Sequence, residues 1–244
     1  MEVALLTVGD ELLDGDTENT NATWLSSALT DRGVSVRRVL VVPDDREVIA
    51  DRVRSYSDAF DAVIVTGGIG GTPDDVTMEA VADAFDREMT VSDLALADIE
   101  THLEEIDAEI PDLDLDIAAE ASVPDGSRPL LNGPGLAPGC VLDNVYVLPG
   151  IPGEMRAMFR DVEGDFSGSL QSQFLYTVEP EANIIDALDA VRDRFGVRVG
   201  CYPDREARHN RLKLTGEDED AIEAAKSWLL AEIDASEDPV EREW

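Results

Sequence analysis

The sequence predicts an α/β chain, a three-layer sandwich around a mostly parallel sheet, followed by a small two-layer βαββα unit. Three observations predict it. Short apolar runs rich in β-branched residues, Val3 to Val8 and Ala62 to Thr66, show no polar alternation, as strands buried on both faces require. Amphipathic helical patterns alternate with the strands, which implies right-handed crossovers with helices on both faces of the sheet. A polar, glycine-containing stretch from Gly164 to Gln173 then separates residues 1–165 from a second pattern over 170–240.

Val3 to Val8 runs into Gly9-Asp10-Glu11-Leu12-Leu13, placing two acids at a strand's carboxyl end, where open parallel sheets collect ligands. Asn19, Thr20 or Asn21 caps the next helix, whose stripe is Trp24, Leu25, Ala28 and Leu29 and which ends at Gly33. Val34 to Val42 is the second strand, Pro43-Asp44-Asp45 a turn, and Val48, Ile49 and Val53 mark the second helix. Ala62 to Thr66 gives way to glycines. Thr72 as N-cap, Pro73 as first helical residue and Asp75 in the place of a capping-box acid predict a helix from there to about Phe85.

Ser92 to Ile110 reads as an outer helix. Within Pro111 to Pro129 the signals conflict, Asp112 to Asp116 alternating like an edge strand and Ile117 to Ala121 reading as helix. Leu130 to Gly139 is a shaped loop. Cys140 to Leu142 and Val145 to Leu148 flank Asp143-Asn144 as a hairpin. Pro149 to Glu154 repeats the order of strand end, glycine turn and helix start, with Met155, Met158 and Phe159 on the buried side. In the second unit, strands at Phe174 to Val178, Val197 to Tyr202 and Arg211 to Leu214 are interleaved with helices over Ile184 to Phe195 and Ile222 to Leu229. Arg205 to Arg211 is a basic cluster, read either as counter-charge for neighbouring acids or as an arm toward a bound pyrophosphate.

The 244 residues carry 54 Asp and Glu against 19 Lys and Arg, a formal charge of -35. Such a field repels nucleic acid and anionic membranes, so neither is an expected partner unless a local basic patch outweighs the whole. With 43% apolar residues in periodic segments, disorder is excluded. The acids are spread over helix faces, as on a protein of a salt-rich cytosol, and the fold is expected to loosen at low salt. Cys140 and Cys201 are too few for a disulfide framework or zinc knuckle and are expected to be buried. The chain lacks a signal-peptide pattern and any apolar run near the roughly 20 residues of a membrane span, so a cytoplasmic location is expected.

The chemistry concentrates after Thr66. Gly67, Gly68, Gly70 and Gly71 expose main-chain amides, and with a following helix N-terminus they make an anion site suited to phosphate. Asp74 and Asp75 would repel that phosphate unless a divalent cation stood between them, or unless sugar hydroxyls needed acceptors. As helix caps alone they would contribute only about 0.3 to 1 kcal/mol each. His102 and His209 read as surface residues.

Thr7-Val-Gly-Asp-Glu-Leu-Leu13, Asn19-Thr-Asn21, Thr66-Gly-Gly-Ile-Gly-Gly-Thr-Pro-Asp-Asp-Val-Thr77, Ala137-Pro-Gly139 and Leu148-Pro-Gly-Ile-Pro-Gly-Glu-Met155 resemble, in this order, the N-terminal domain of the CinA family. That domain belongs to the molybdopterin-binding superfamily with the MoaB, Mog and MoeA proteins. The resemblance covers residues 1–165, and the last unit is similar to the small domain that follows in CinA-type proteins. It implies a MoaB/Mog-like fold, a homo-oligomer, and a pterin-phosphate or nucleotide ligand, with molybdopterin among the candidates. It also implies metal-dependent hydrolysis of ADP-ribose or a related nucleotide. The nicotinamide-mononucleotide deamidase domain of full-length CinA is expected to be absent.

On that reading Asp10, Glu11, Asp74 and Asp75 hold Mg²⁺ or a similar ion, and the amides of Gly67 to Thr72 hold one phosphate. Asp74, Asp75 and Glu154 are the catalytic candidates, Glu154 orienting water or a ribose hydroxyl. Gly9, Thr66, Gly67, Gly68, Gly70, Gly71, Thr72, Asn132, Gly133, Gly135 and Gly150 form the expected substrate-binding set. Two departures stand out: Pro73 lies one place later than the family's proline, and Leu136 replaces a hydroxyl residue. Leu136 leaves a noncatalytic pterin or nucleotide-binding module as an alternative, and adenylylation of molybdopterin, with the same metal and loop but consuming ATP, is another.

Overall fold

A computed structural model describes residues 1–106 and 115–240 and divides into two units, Met1–Ser167 and Gly168–Trp244. In the first unit the chain runs through β1 (Glu2–Val8), α1 (Asp10–Leu13), α2 (Thr20–Asp31), β2 (Ser35–Val42), α3 (Arg46–Ala59) and β3 (Ala62–Thr66). It continues through α4 (Thr77–Ala84), β4 (Met89–Val91), α5 (Asp93–Ile106), α6 (Ile117–Glu120), β5 (Ser122–Pro124) and β6 (Arg128–Leu130). β7 (Gly139–Leu142), β8 (Val145–Leu148) and α7 (Pro152–Val162) complete it.

The main sheet has the order β2-β1-β3-β8-β7-β6. Its first four strands are parallel, and β7 returns antiparallel between β8 and β6. β3 is buried at every residue. Val63 and Val65 face a cluster with Ile49 and Val53 of α3 and Val81 of α4, whereas Ile64 faces Leu25 and Leu29 of α2 and Phe159 of α7. The apolar run thus fills both interfaces of a three-layer sandwich, the arrangement its lack of polar alternation predicts. Asn19 caps α2 by accepting from the Ala22 amide, and the 143–144 turn closes the β7–β8 hairpin with Asp143 at φ 50°.

Two expectations change. The helix after β3 begins at Thr77 with no side-chain cap, because Thr72 and Asp75 close a turn of their own first. There the Asp75 amide donates to the Thr72 carbonyl at 2.9 Å, and the Thr72 amide donates to Asp75 Oδ2 at 3.0 Å. Cys140 is fully buried as expected, and burial pushes its thiol up to about 12, but Cys201 is only half-buried. The end of the predicted Ser92 to Ile110 helix and most of the strand-like Asp112 to Asp116 lie outside the described residues. Beyond them Ile117–Glu120 is helical and β5 pairs with β4. Among the described residues no helix is long and apolar enough to cross a membrane.

The hairpin turn is locked to α3. Asn144 Nδ2 donates to the carbonyls of Ser57 and Phe60, both at 3.0 Å, while its Oδ1 accepts from the Ser57 hydroxyl at 2.6 Å. Asn144→Ala leaves two carbonyls and a hydroxyl short of a partner, and chemical denaturation should read a loss of about 2 kcal/mol.

The second unit contains β9 (Gln171–Thr177), α8 (Glu181–Phe195), β10 (Arg198–Asp204), β11 (His209–Gly216), α9 (Glu219–Glu232) and β12 (Ala235–Ser236). The antiparallel sheet has the order β10-β11-β9-β12, so a short final strand extends the predicted βαββα pattern. Leu175, Val199, Leu212 and Leu214 pack one sheet face against Ile184 and Val191 of α8 and Ile222 and Leu229 of α9. Gly196, left-handed at φ 65°, ends α8, and Asp218 caps α9.

Candidate functional site

The chain passes from β1 outward to β2 and then crosses back to place β3 on the other side of β1, so strand order reverses between β1 and β3. Loops at such a reversal splay apart and leave a crevice at the strands' carboxyl ends. Here the loops after β1, β3 and β8 meet. Gly67 lies so close to the first that an added β-carbon would sit 2.4 Å from the Val8 carbonyl oxygen. A β-carbon on Gly150 would sit 3.3 Å from the Gly67 Cα.

The glycines of the central loop serve two needs. Gly67 and Gly68 take φ of 98° and 66°, which turns the chain away from the sheet. Gly70 and Gly71 instead make room: a β-carbon on the former would meet the Asp75 carboxylate, and on the latter the Glu120 carboxylate. The loop borders a cavity of about 600 Å³ shared by Gly68 to Thr72, Asp75, Glu120, Leu136, Gly150 and Glu154. A recess of about 290 Å³ continues from the same loop toward Met78 and Met89.

The site is acidic. Asp44 accepts a hydrogen bond from the Asp10 amide at 2.8 Å, and its carboxyl is raised above its ordinary pKa by burial and then by the charges of Asp10, Asp74 and Asp75, against the lowering effect of that bond. Glu120 is raised too, by burial and then by Asp75 and Asp116. The Thr72 hydroxyl donates to Asp75 and also lies near enough to Asp74 to hold that carboxyl below its ordinary value, helped by the Asp74 amide. None of the described ion pairs engages Asp10, Asp44, Asp74, Asp75 or Glu120.

Asp44 stores repulsion that varies with pH. Its raised folded-state pKa means that the folded chain keeps this proton to higher pH than the unfolded chain does. The associated stability is therefore present below the unfolded pKa and lost as pH rises through the folded one. Asp44→Asn can still accept from Asp10 but carries no charge. Its melting temperature should exceed the parent's at neutral pH, and the difference should shrink toward zero as pH is lowered through the Asp range.

The remaining expected residues divide into groups. Glu154 borders the cavity and accepts from Asn132 Nδ2 at 2.8 Å, and the same nitrogen donates to the Ala137 carbonyl at 2.9 Å. Asn132 thus shapes its loop and aims Glu154, and Gly135 leaves space for the Glu154 carboxylate. Gly133 faces α5, its carbonyl 3.1 Å from His102 Nε2. Gly9 lies beneath the Glu11 carboxylate. Glu11 and Thr66 border a separate cleft of about 80 Å³ with Asn19, Asn21 and Gly150, so Glu11 is not brought together with Asp75 in one cavity, and the expected ligands Asp10 and Asp74 border none of the cavities described. In that cleft Asn21 Nδ2 donates to the Gly150 carbonyl at 2.6 Å, while Asn21 Oδ1 and the Thr66 hydroxyl are buried without a partner. Leu136 packs against Ala95, Ile99 and Ala121 while facing the cavity.

Sequence reading missed Asp44 and Glu120. Asp44 follows a strand's carboxyl end, the signal that singled out Asp10 and Glu11. Glu120 had none, since it belongs to a one-turn helix within a stretch of conflicting pattern. Among the described residues no three His, Cys, Asp or Glu side chains are grouped to hold a metal by themselves. Mg²⁺ in general needs only one or two carboxylates and completes its shell with water and substrate phosphate.

Comparison with known proteins agrees with this fold. Residues 4–165 match the family described as a probable molybdopterin binding domain, and residues 169–238 match the middle domain of FAD synthase. A protein of Archaeoglobus fulgidus is 34% identical over 92% of this chain and 95% of its own length. A CinA-like protein of Frankia casuarinae is 39% identical over 65% of this chain, which spans 38% of that longer protein. The crystal structure of CinA from Thermoplasma acidophilum, described there as of unknown function, has a TM-score of 0.61 at 36% identity, covering 68% of this chain and 97% of that one. The fold, the ordered motifs and these matches place the chain in the CinA-type, MoaB/Mog-like molybdopterin-binding family.

Proposed function

We propose that this chain hydrolyses a nucleotide pyrophosphate, ADP-ribose or a close relative, with a divalent cation such as Mg²⁺. The observation that carries the reading is Asp44 repelled by Asp10, Asp74 and Asp75, all four without ion-pair partners, beside a glycine loop suited to phosphate. A divalent cation held there would neutralise that repulsion. Asp74 and Asp75 would hold it, and the amides of Gly68 to Gly71 would hold one phosphate, those of Gly67 and Thr72 being already bonded to the Leu148 carbonyl and to Asp75. When bound, the ion supplies charge neutralisation and a more acidic water. Glu154, aimed by Asn132, orients the attacking water or a ribose hydroxyl. The water oxygen bonds to one phosphorus, the bridging oxygen leaves with the other, and ADP-ribose yields AMP and ribose 5-phosphate.

Leu136 favours a second reading, a noncatalytic pterin or nucleotide-binding module, because an apolar side chain stands where the family has a hydroxyl. Transfer of adenylate from ATP to molybdopterin would use the same loop and cation. Incubating the chain at high salt with Mg²⁺ and either ADP-ribose or ATP plus molybdopterin separates the three. AMP release from ADP-ribose is expected. Adenylylated pterin without hydrolysis would assign transfer, and tight binding without turnover across a series of divalent metals would assign the module.

A further inference from the structure

We propose that the open face of the second unit's sheet is a binding platform for single-stranded nucleic acid. Helices α8 and α9 cover one face. The other is covered at its Tyr176 end, where His209, expected at the surface, is buried against the Tyr176 ring with Nδ1 2.7 Å from the Val240 carbonyl oxygen, and beyond that end it carries an unusual set for so acidic a chain. The strand register puts Tyr202, Arg211 and Tyr176 side by side across β10, β11 and β9, with Gly200, Lys213 and Phe174 in the next row. Arg198, Thr215 and Ser172 follow in a third. Tyr202 and Phe174 are 50% and 37% exposed, which is far more than core aromatics are.

The rings are held in place. The Arg211 guanidinium lies 5.4 Å from the Phe174 ring centre and 6.0 Å from that of Tyr202, and Lys213 Nζ lies 5.9 Å from the Phe174 centre. Tyr202 lies across Gly200: a β-carbon there would be 2.7 Å from the phenol oxygen and 2.9 Å from two ring carbons. The glycine therefore lets the ring settle onto the sheet. None of the described ion pairs engages Arg198, Arg211 or Lys213, although the chain has 54 acids for 19 basic residues.

Flat aromatic surface interleaved with cations, Arg211 keeping the charge of Asp204 near it, is the chemistry that stacks unpaired bases and holds the phosphates between them. Successive rows on one face are about 6.8 Å apart, close to the spacing of nucleotides in an extended single strand. Duplexes hide their base faces and gain nothing from such a platform. The face is a local basic patch in a chain of charge -35, and high salt screens the long-range repulsion and the cation–phosphate attraction alike, so that stacking carries the binding there.

Fluorescence anisotropy of a labelled oligouridylate of about eight nucleotides, titrated with the full chain at high salt, tests the proposal. Saturable binding is expected, with little for a duplex of equal length. Phe174→Ala combined with Tyr202→Ala should weaken it by about tenfold or more. Arg211→Glu, which keeps both rings, should also weaken it, while melting temperature and nucleotide turnover stay at parental values. Absence of saturable binding, equal affinity for duplex, or unchanged affinity in the variants would overturn it. So would variants that alter only the oligomeric state in sedimentation, since the face would then be a protein interface.

Discussion

Gly67→Ala lowers the stability of the first unit by about 3 kcal/mol and its melting temperature by about 10 °C. Two costs combine. The backbone at φ 98° lies where a residue with a β-carbon is strained, and the new carbon would stand 2.4 Å from the Val8 carbonyl oxygen. Both partners are main chain at the ends of buried parallel strands, so neither moves without shifting β1 against β3. The same displacement opens the loop that borders the cavity, and nucleotide binding falls with stability. Gly133→Ala and Gly153→Ala are the controls, since each points into open space and neither has positive φ. Gly153 sits in the first turn of α7, where alanine is the better helix former, so its variant should melt at or above the parental temperature. Thermal melts at high salt decide the matter, and a Gly67→Ala chain melting with its parent would mean that the β1 and β3 loops do not touch as described.

That contact shows which parts of the molecule were legible in the sequence. Burial of β3 on both faces follows from composition alone, and so does the hairpin at Asp143-Asn144, because strand period and turn preference are local. The glycine loop was legible as a loop but not in its division of labour. That Gly70 and Gly71 yield space to Asp75 and Glu120 depends on where α6 returns, and no pattern in residues 115–120 announces that return. The helix after the loop was placed four residues early for a related reason. Thr72-Pro73-Asp74-Asp75 carries capping chemistry, but that chemistry is consumed by the turn between Thr72 and Asp75, and the backbone reaches helical geometry only when the Thr77 amide has bonded the Gly68 carbonyl. Glu11 was grouped with Asp74 by chain position. Its side chain instead folds back over Gly9 toward the cleft of Asn21 and Thr66, a choice of rotamer that sequence does not encode locally.

The division between Asp74 and Asp75 leads to the most direct test of the proposed chemistry. Asp75 has structural duties, accepting from both the amide and the hydroxyl of Thr72, and Asp75→Ala should therefore release the turn and impair substrate binding and turnover together. Asp74 is exposed, and the neighbouring hydroxyl keeps it ionised to lower pH than a free aspartate side chain. Asp74→Asn preserves its size and removes its charge, so the melting temperature should stay at the parental value. If Asp74 holds the cation against the substrate's phosphates, kcat should fall by about 100-fold or more, with partial recovery at raised metal concentration. If both acids merely shape the loop, Asp75→Ala alone will damage activity and Asp74→Asn will turn over at the parental rate. A rate unchanged in Asp74→Asn across a metal titration would remove this carboxylate from the site and take with it the reading in which the carboxylates and the glycine loop share one bridging cation.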